Sequence, residues 1–118
     1  MTTLFMHHYF VPKKSYGYTY LSNFHEEFDN ADHIGIEAIK ETFHKLFNQC
    51  KENGPLVEEL SYVLNLRIAF WDEKNLKEPS NPKFLELATI YLDLYEWLRR
   101  YLLSKNYPFT RKRWQIIE

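Results

Sequence analysis

Cysteine, glycine and proline are all scarce. The 118-residue chain has one cysteine, Cys50, three glycines and five prolines. A single cysteine excludes an internal disulfide framework and a multi-cysteine zinc site, and it fits a reducing, intracellular setting. So few turn-forming residues favour long helices over many short strands. No stretch approaches the roughly 18 consecutive apolar residues of a membrane span. The start, MTTLFMHHYFVPKK, lacks the charged opening and clean apolar core of a signal peptide. The expectation is a soluble cytoplasmic protein with no membrane segment. Net charge is also small, at −1, and apolar and aromatic residues run throughout, which argues against a disordered chain.

The length fits one domain, residues 1–118, large enough to bury a core without covalent staples. The near-zero net charge conceals an asymmetry. Residues 24–63 carry nine acids against three bases, and residues 97–118 carry six bases against one acid. An acidic middle and a basic end can pair with each other or present two unlike surfaces to partners.

Residues 3–11, TLFMHHYFV, read as an extended segment stopped by Pro12, within an N-terminal stretch of residues 1–18. Residues 19–29 predict a short helix from Leu21, Phe24 and Phe28, interrupted by DNAD, where Asn30 or Asp32 would cap the next helix. Residues 34–52 predict a clearer helix, with Ile36, Ile39, Phe43, Leu46 and Cys50 on one stripe and Glu41–Lys45 as a favourable pair. Gly54 suits a left-handed C-cap, and Pro55 suits the first position of a third helix running to about Lys74. Asn81 caps and Pro82 opens a fourth helix to about residue 105. That helix is apolar on most sides, apart from a narrow stripe of Glu86, Thr89, Asp93, Glu96 and Arg100, so it is expected at the centre of the fold or in an oligomer interface. The basic tail, residues 106–118, ends in β-prone WQII, which is expected to pair with residues 3–11 in a small sheet.

The most chemically loaded stretch is FHEEFDNADH, residues 24–33. His25, Asp29 and His33 fall at i, i+4 and i+8, and one continuous helix would set them on one face as metal ligands. That reading requires the helix to continue through DNAD, where Asn and Asp compete for backbone hydrogen bonds. It also lacks a fourth ligand, and neither HExxH nor paired Glu-x-x-His is present. The plainer reading is a solvated acidic helix end with no metal.

A second constellation is Arg111, Lys112 and Arg113 with Trp114, which resembles a phosphate-contacting strip with a stacking ring. A third is aromatic: Tyr91, Tyr95, Trp97 and Tyr101 lie on the fourth helix with Arg100, and Tyr, Trp and Arg are the residues enriched at interfaces. Nucleophilic catalysis has little support. Cys50 lies on an apolar helix face, and no GxSxG or phosphate-cradling glycine loop is present.

The sequence therefore predicts a mainly α protein: an antiparallel bundle of three long helices and one short one, with the termini paired in a small sheet. The function expected is a non-enzymatic protein–protein interaction domain that forms a homo-oligomer through apolar helix surface and takes no cofactor. Tyr91, Tyr95, Trp97, Arg100 and Tyr101 are its candidate interface. One alternative is a nucleic-acid accessory protein using Arg111, Lys112, Arg113 and Trp114. The other is a metal-dependent enzyme using His25, Asp29 and His33.

Overall fold

The computed structural model describes residues 17–105. These form four helices: α1 (Gly17–Ile34), α2 (Ile36–Cys50), α3 (Gly54–Lys77) and α4 (Pro82–Ser104). Among the described residues there is no strand; the expected pairing of residues 3–11 with the tail lies outside them.

The expected short first helix is corrected to one of 18 residues that runs straight through DNAD. The reason is tertiary. Ala31 and Asp32 are buried, and the Asp32 carboxylate is taken up by side chains of α3 and α4, so it does not compete for the local backbone. The break comes at Gly35, with φ 146° and ψ −177°. That is a region of backbone space essentially confined to glycine, so one residue turns the chain from α1 into α2. No side chain caps α2, and neither Asn30 nor Asp32 does so. Lys45 likewise pairs across to Glu27 on α1 at 2.8 Å, where the sequence suggested Glu41.

Gly54 is the first residue of α3 and carries no positive φ, which corrects its expected role as a left-handed cap. The cap is Asn53, whose Oδ1 accepts from the Leu56 N–H at 3.2 Å. α3 runs to Lys77, with Lys74 and Lys77 placed favourably in its last turn. Asn81 and Pro82 open α4 as expected, the Asn81 Oδ1 accepting from the Lys83 N–H at 3.1 Å.

α3 and α4 are antiparallel across the 78–81 turn. Trp71, late in α3, stacks on Phe84, early in α4, at 5.8 Å, and Arg67 lies level with Tyr91. The expectation that the fourth helix is the centre is corrected. Residues 60–67 of α3 are buried without interruption, and α3 packs against each of the other three helices. α4 buries Leu87, Ile90, Tyr91, Leu94, Leu98 and Leu102 on one side only. α1 adds Phe24 and Phe28 to the core, and α2 adds Ile39, Phe43, Leu46 and Phe47. Each large side chain so buried stabilises the fold by about 1.5–3 kcal/mol relative to exposure. Where α2 meets α4, Phe47 takes Trp97 and Tyr101 edge-on at 5.2 Å and 5.0 Å.

Candidate functional site

Arg67 is a lone cation inside the apolar run of α3, and burial obliges it to find partners. It finds them on α1. Its Nη2 donates to Asp32 Oδ2 at 2.5 Å and to Asp29 Oδ1 at 2.8 Å. Its Nη1 lies 3.0 Å from His25 Nδ1. Arginine only donates, so Nδ1 is the acceptor. Positions 25, 29 and 32 fall on one face of α1 because they step by four and three. Asp32 accepts twice more, from Trp71 Nε1 at 3.2 Å and from Tyr91 Oη at 2.5 Å. One buried carboxylate thus joins α1 to α3 and α4. The guanidinium lies over the rings of Tyr91 at 5.2 Å and Phe28 at 5.8 Å, and those rings meet edge to face.

The electrostatics fix the protonation of this cluster. Burial, reinforced by Arg67, lowers the His25 pKa from 6.5 to about 4, against the opposing pull of Asp29, so the ring is neutral near pH 7. Burial above all pushes the Tyr91 phenol well above its ordinary value, so it stays a donor to Asp32. Burial acts against the Arg67 charge, but Tyr91, Asp32 and Asp29 outweigh it and raise its pKa further. Arg67, Asp32 and Tyr91 are buried, while the Asp29 side chain is 66% exposed. The arrangement is a latch holding three helices, with Asp32, Arg67 and Tyr91 enclosed and the Asp29 carboxylate at its solvent edge.

The same geometry bears on the alternative metal set of His25, Asp29 and His33. α1 is continuous, so the spacing argument holds, but Arg67 occupies donor atoms of both His25 and Asp29, and a fixed cation there repels a divalent one. His33 is exposed. Among the described residues no group of three His, Cys, Asp or Glu side chains is placed to hold a metal. Cys50 is buried, and burial raises its thiol to about 11, which suits packing and not nucleophilic attack.

Of the aromatic set, Tyr91 and Tyr95 are core residues, which corrects their assignment to an interface: one is in the latch and the other faces inward beside it on α4. Tyr101 is half-buried, and Trp97 and Arg100 are exposed. Arg111, Lys112, Arg113 and Trp114 lie outside the described residues. The sequence reading missed Arg67, Asp32 and Trp71 as a cluster. The available signal was Arg67 itself, a charge within LSYVLNLRIAFW, where almost every neighbour is apolar.

Large apolar side chains are exposed on α1 (Ile34), on α3 (Phe70 and Leu76) and in greatest number on the outside of α4. Leu85 is 54% exposed, Leu92 43% and Leu103 53%. With Thr89, Glu96 and Arg99 they step by 4, 3, 4, 3 and 4 along the helix, which makes one straight stripe. Beside it, between α2 and α4, runs an open groove of about 660 Å³ whose lining includes Lys40, Phe43, Asp93, Trp97 and Arg100. No described helix is long and apolar enough to cross a membrane.

Compared with protein-family models, with curated proteins and with solved structures, the chain matches none.

Proposed function

We propose that this chain is a small non-enzymatic interaction module that self-associates through the outer face of α4. The observation that supports the reading is the stripe Leu85, Leu92 and Leu103, exposed on a helix whose opposite face fills the core. Single exposed leucines are ordinary on a protein surface. A row at helical spacing, next to an aromatic groove, is the kind of patch a partner covers. The remaining chemistry points the same way, since Asp32, Arg67 and Tyr91 are enclosed and the Cys50 thiol is buried.

Size-exclusion chromatography with light scattering, from about 10 μM to about 500 μM, tests this across the range of a weak interface. The expected mass rises from 14.4 kDa towards twice that value. A mass fixed at the monomer value to the top of the range contradicts the reading. The competing function, nucleic-acid association through Arg111, Lys112 and Arg113, calls for a low-salt mobility shift with DNA or RNA that vanishes when the three become alanine.

A further inference from the structure

α1 and α4 reach α3 at Arg67 and Trp71. These two continue the stripe Leu60, Leu64, Arg67, Trp71. Two positions further on, a rotation of about 200°, lie Tyr62, Leu66, Ala69 and Glu73 on the opposite face. That far face is covered. Tyr62 is 4% exposed, Leu66 1% and Ala69 4%. Tyr62 belongs to the contiguous core, but Leu66 and Ala69 stand apart from it. Ala88 of α4 is buried and apart from the core in the same way, so the covered strip reaches α4. We propose that the basic tail of the same chain, residues 106–118, is the cover, docked along the far face of α3.

Origin, reach and charge all favour this occupant. α4 ends at Ser104, and Lys105 lines one cleft with Gly54 and Val57 at the start of α3. The tail therefore leaves beside Glu58 and Glu59, half-buried residues a turn before Tyr62. Its thirteen residues span at most about 43 Å, whereas Ala69 lies about 22 Å along α3 from Gly54. The order of residues also matches. Arg111, Lys112 and Arg113 come first and meet Glu58 and Glu59. Trp114, Ile116 and Ile117 follow and meet Tyr62, Leu66 and Ala69. At the end of the strip Glu73 is taken by Lys77, and before it Lys51 is followed by Glu52, so the acidic excess lies at Glu58 and Glu59. Residues 1–16, with Lys13 and Lys14, are the competing cover. They enter through α1, which lies on the opposite stripe. This docking is independent of self-association through α4. It holds the tail bases away from any phosphate ligand until the tail is released.

The test is carbodiimide cross-linking of the dilute full chain, read by peptide mass spectrometry. Lys112, the one lysine of the tail, is expected to form an amide with Glu58 or Glu59 in a product of 14.4 kDa. Amides from those glutamates to Lys13 or Lys14, and none to Lys112, would assign the cover to the N-terminal segment and overturn the proposal. A Lys112 amide found only at twice the monomer mass would assign it to a second copy and overturn docking within the chain. No Lys112 amide to either glutamate overturns it as well. A second readout is maleimide labelling of Leu66→Cys. Reversing the tail with Arg111→Glu, Lys112→Glu and Arg113→Glu should speed labelling at position 66 about tenfold. Cys50, buried in the core, should stay slow in both proteins and reports that the fold is intact. An unchanged rate at position 66 counts against the tail. The cross-link needs no substitution, so it decides the matter even where a variant fails to fold.

Discussion

The interior around Arg67 and the outside of α4 exchange the usual roles of core and surface. In the first, a guanidinium, a carboxylate and a phenol are buried together between three helices. In the second, three leucines stand in a row in solvent. The difference separates stability from function. A buried ion pair contributes little net stability over a well-packed apolar substitute, but it disfavours other helix registers, because any misalignment strands a charge. An exposed apolar row contributes nothing to the monomer and acquires its value on association. Polar chemistry ties three of these helices together in the core, and the proposed association draws on the apolar surface outside.

Removing one half of the latch should have the largest effect. Asp32→Ala leaves Arg67 buried without its main counter-charge and Tyr91 and Trp71 without an acceptor, and it should cost about 3–5 kcal/mol in urea unfolding. If the contrast is sound, Asp32→Leu with Arg67→Met recovers much of that loss, because the charge and its partner leave together. A double variant as unstable as Asp32→Ala would mean that the polar contacts themselves carry the stability.

Gly35→Ala comes next. A Cβ there meets nothing within 4 Å, so only the backbone resists. Holding alanine at φ 146° should cost about 1–3 kcal/mol. A loss below 0.5 kcal/mol would show that α1 and α2 tolerate another turn. Asn81→Ala removes the cap of α4 and should cost about 1 kcal/mol by the same measurement.

The latch also predicts a pH response. The unfolded chain protonates His25 near pH 6.5, whereas the folded chain resists until about pH 4. Between those values the unfolded state binds more protons, so stability falls as pH falls through this window. His25→Gln keeps an acceptor for Arg67 and removes the titration, so the difference between the two proteins should close as pH falls from 7 towards 4. Parallel pH profiles would place the His25 ring outside the latch. The smallest expected effect on stability is at Leu92→Lys, within about 0.5 kcal/mol, since the side chain is 43% exposed and outside the core.

The sequence made the helices legible and their arrangement only partly so. Pro82 after Asn81, and the 3–4 spacing of Ile39, Phe43, Leu46 and Cys50, are local signals that tertiary structure left alone. DNAD misled because Asp32 reads as a cap until its distant partners Arg67, Trp71 and Tyr91 are known, and those lie 35 to 59 residues away. The centre was misplaced for a related reason. Apolar content marks α4, but burial on every side belongs to α3, where Ser61, Asn65 and Arg67 dilute the apolar signal and yet are enclosed. The exposed stripe was hidden inside the same excess: apolar count does not separate Leu85 and Leu92, which face out, from Leu87 and Leu94, which face in. Partner geometry decides that, and it is not local.

The central claim is that the outer face of α4 serves association and not folding. Sedimentation equilibrium of the wild-type chain beside Leu85→Lys with Leu92→Lys, each paired with a thermal melt, tests it most directly. The account predicts a wild-type monomer–dimer equilibrium, a strictly monomeric variant, and melting midpoints that agree once extrapolated to low concentration. A wild-type chain that stays monomeric, or a variant that dimerises as well as the wild type, would contradict it.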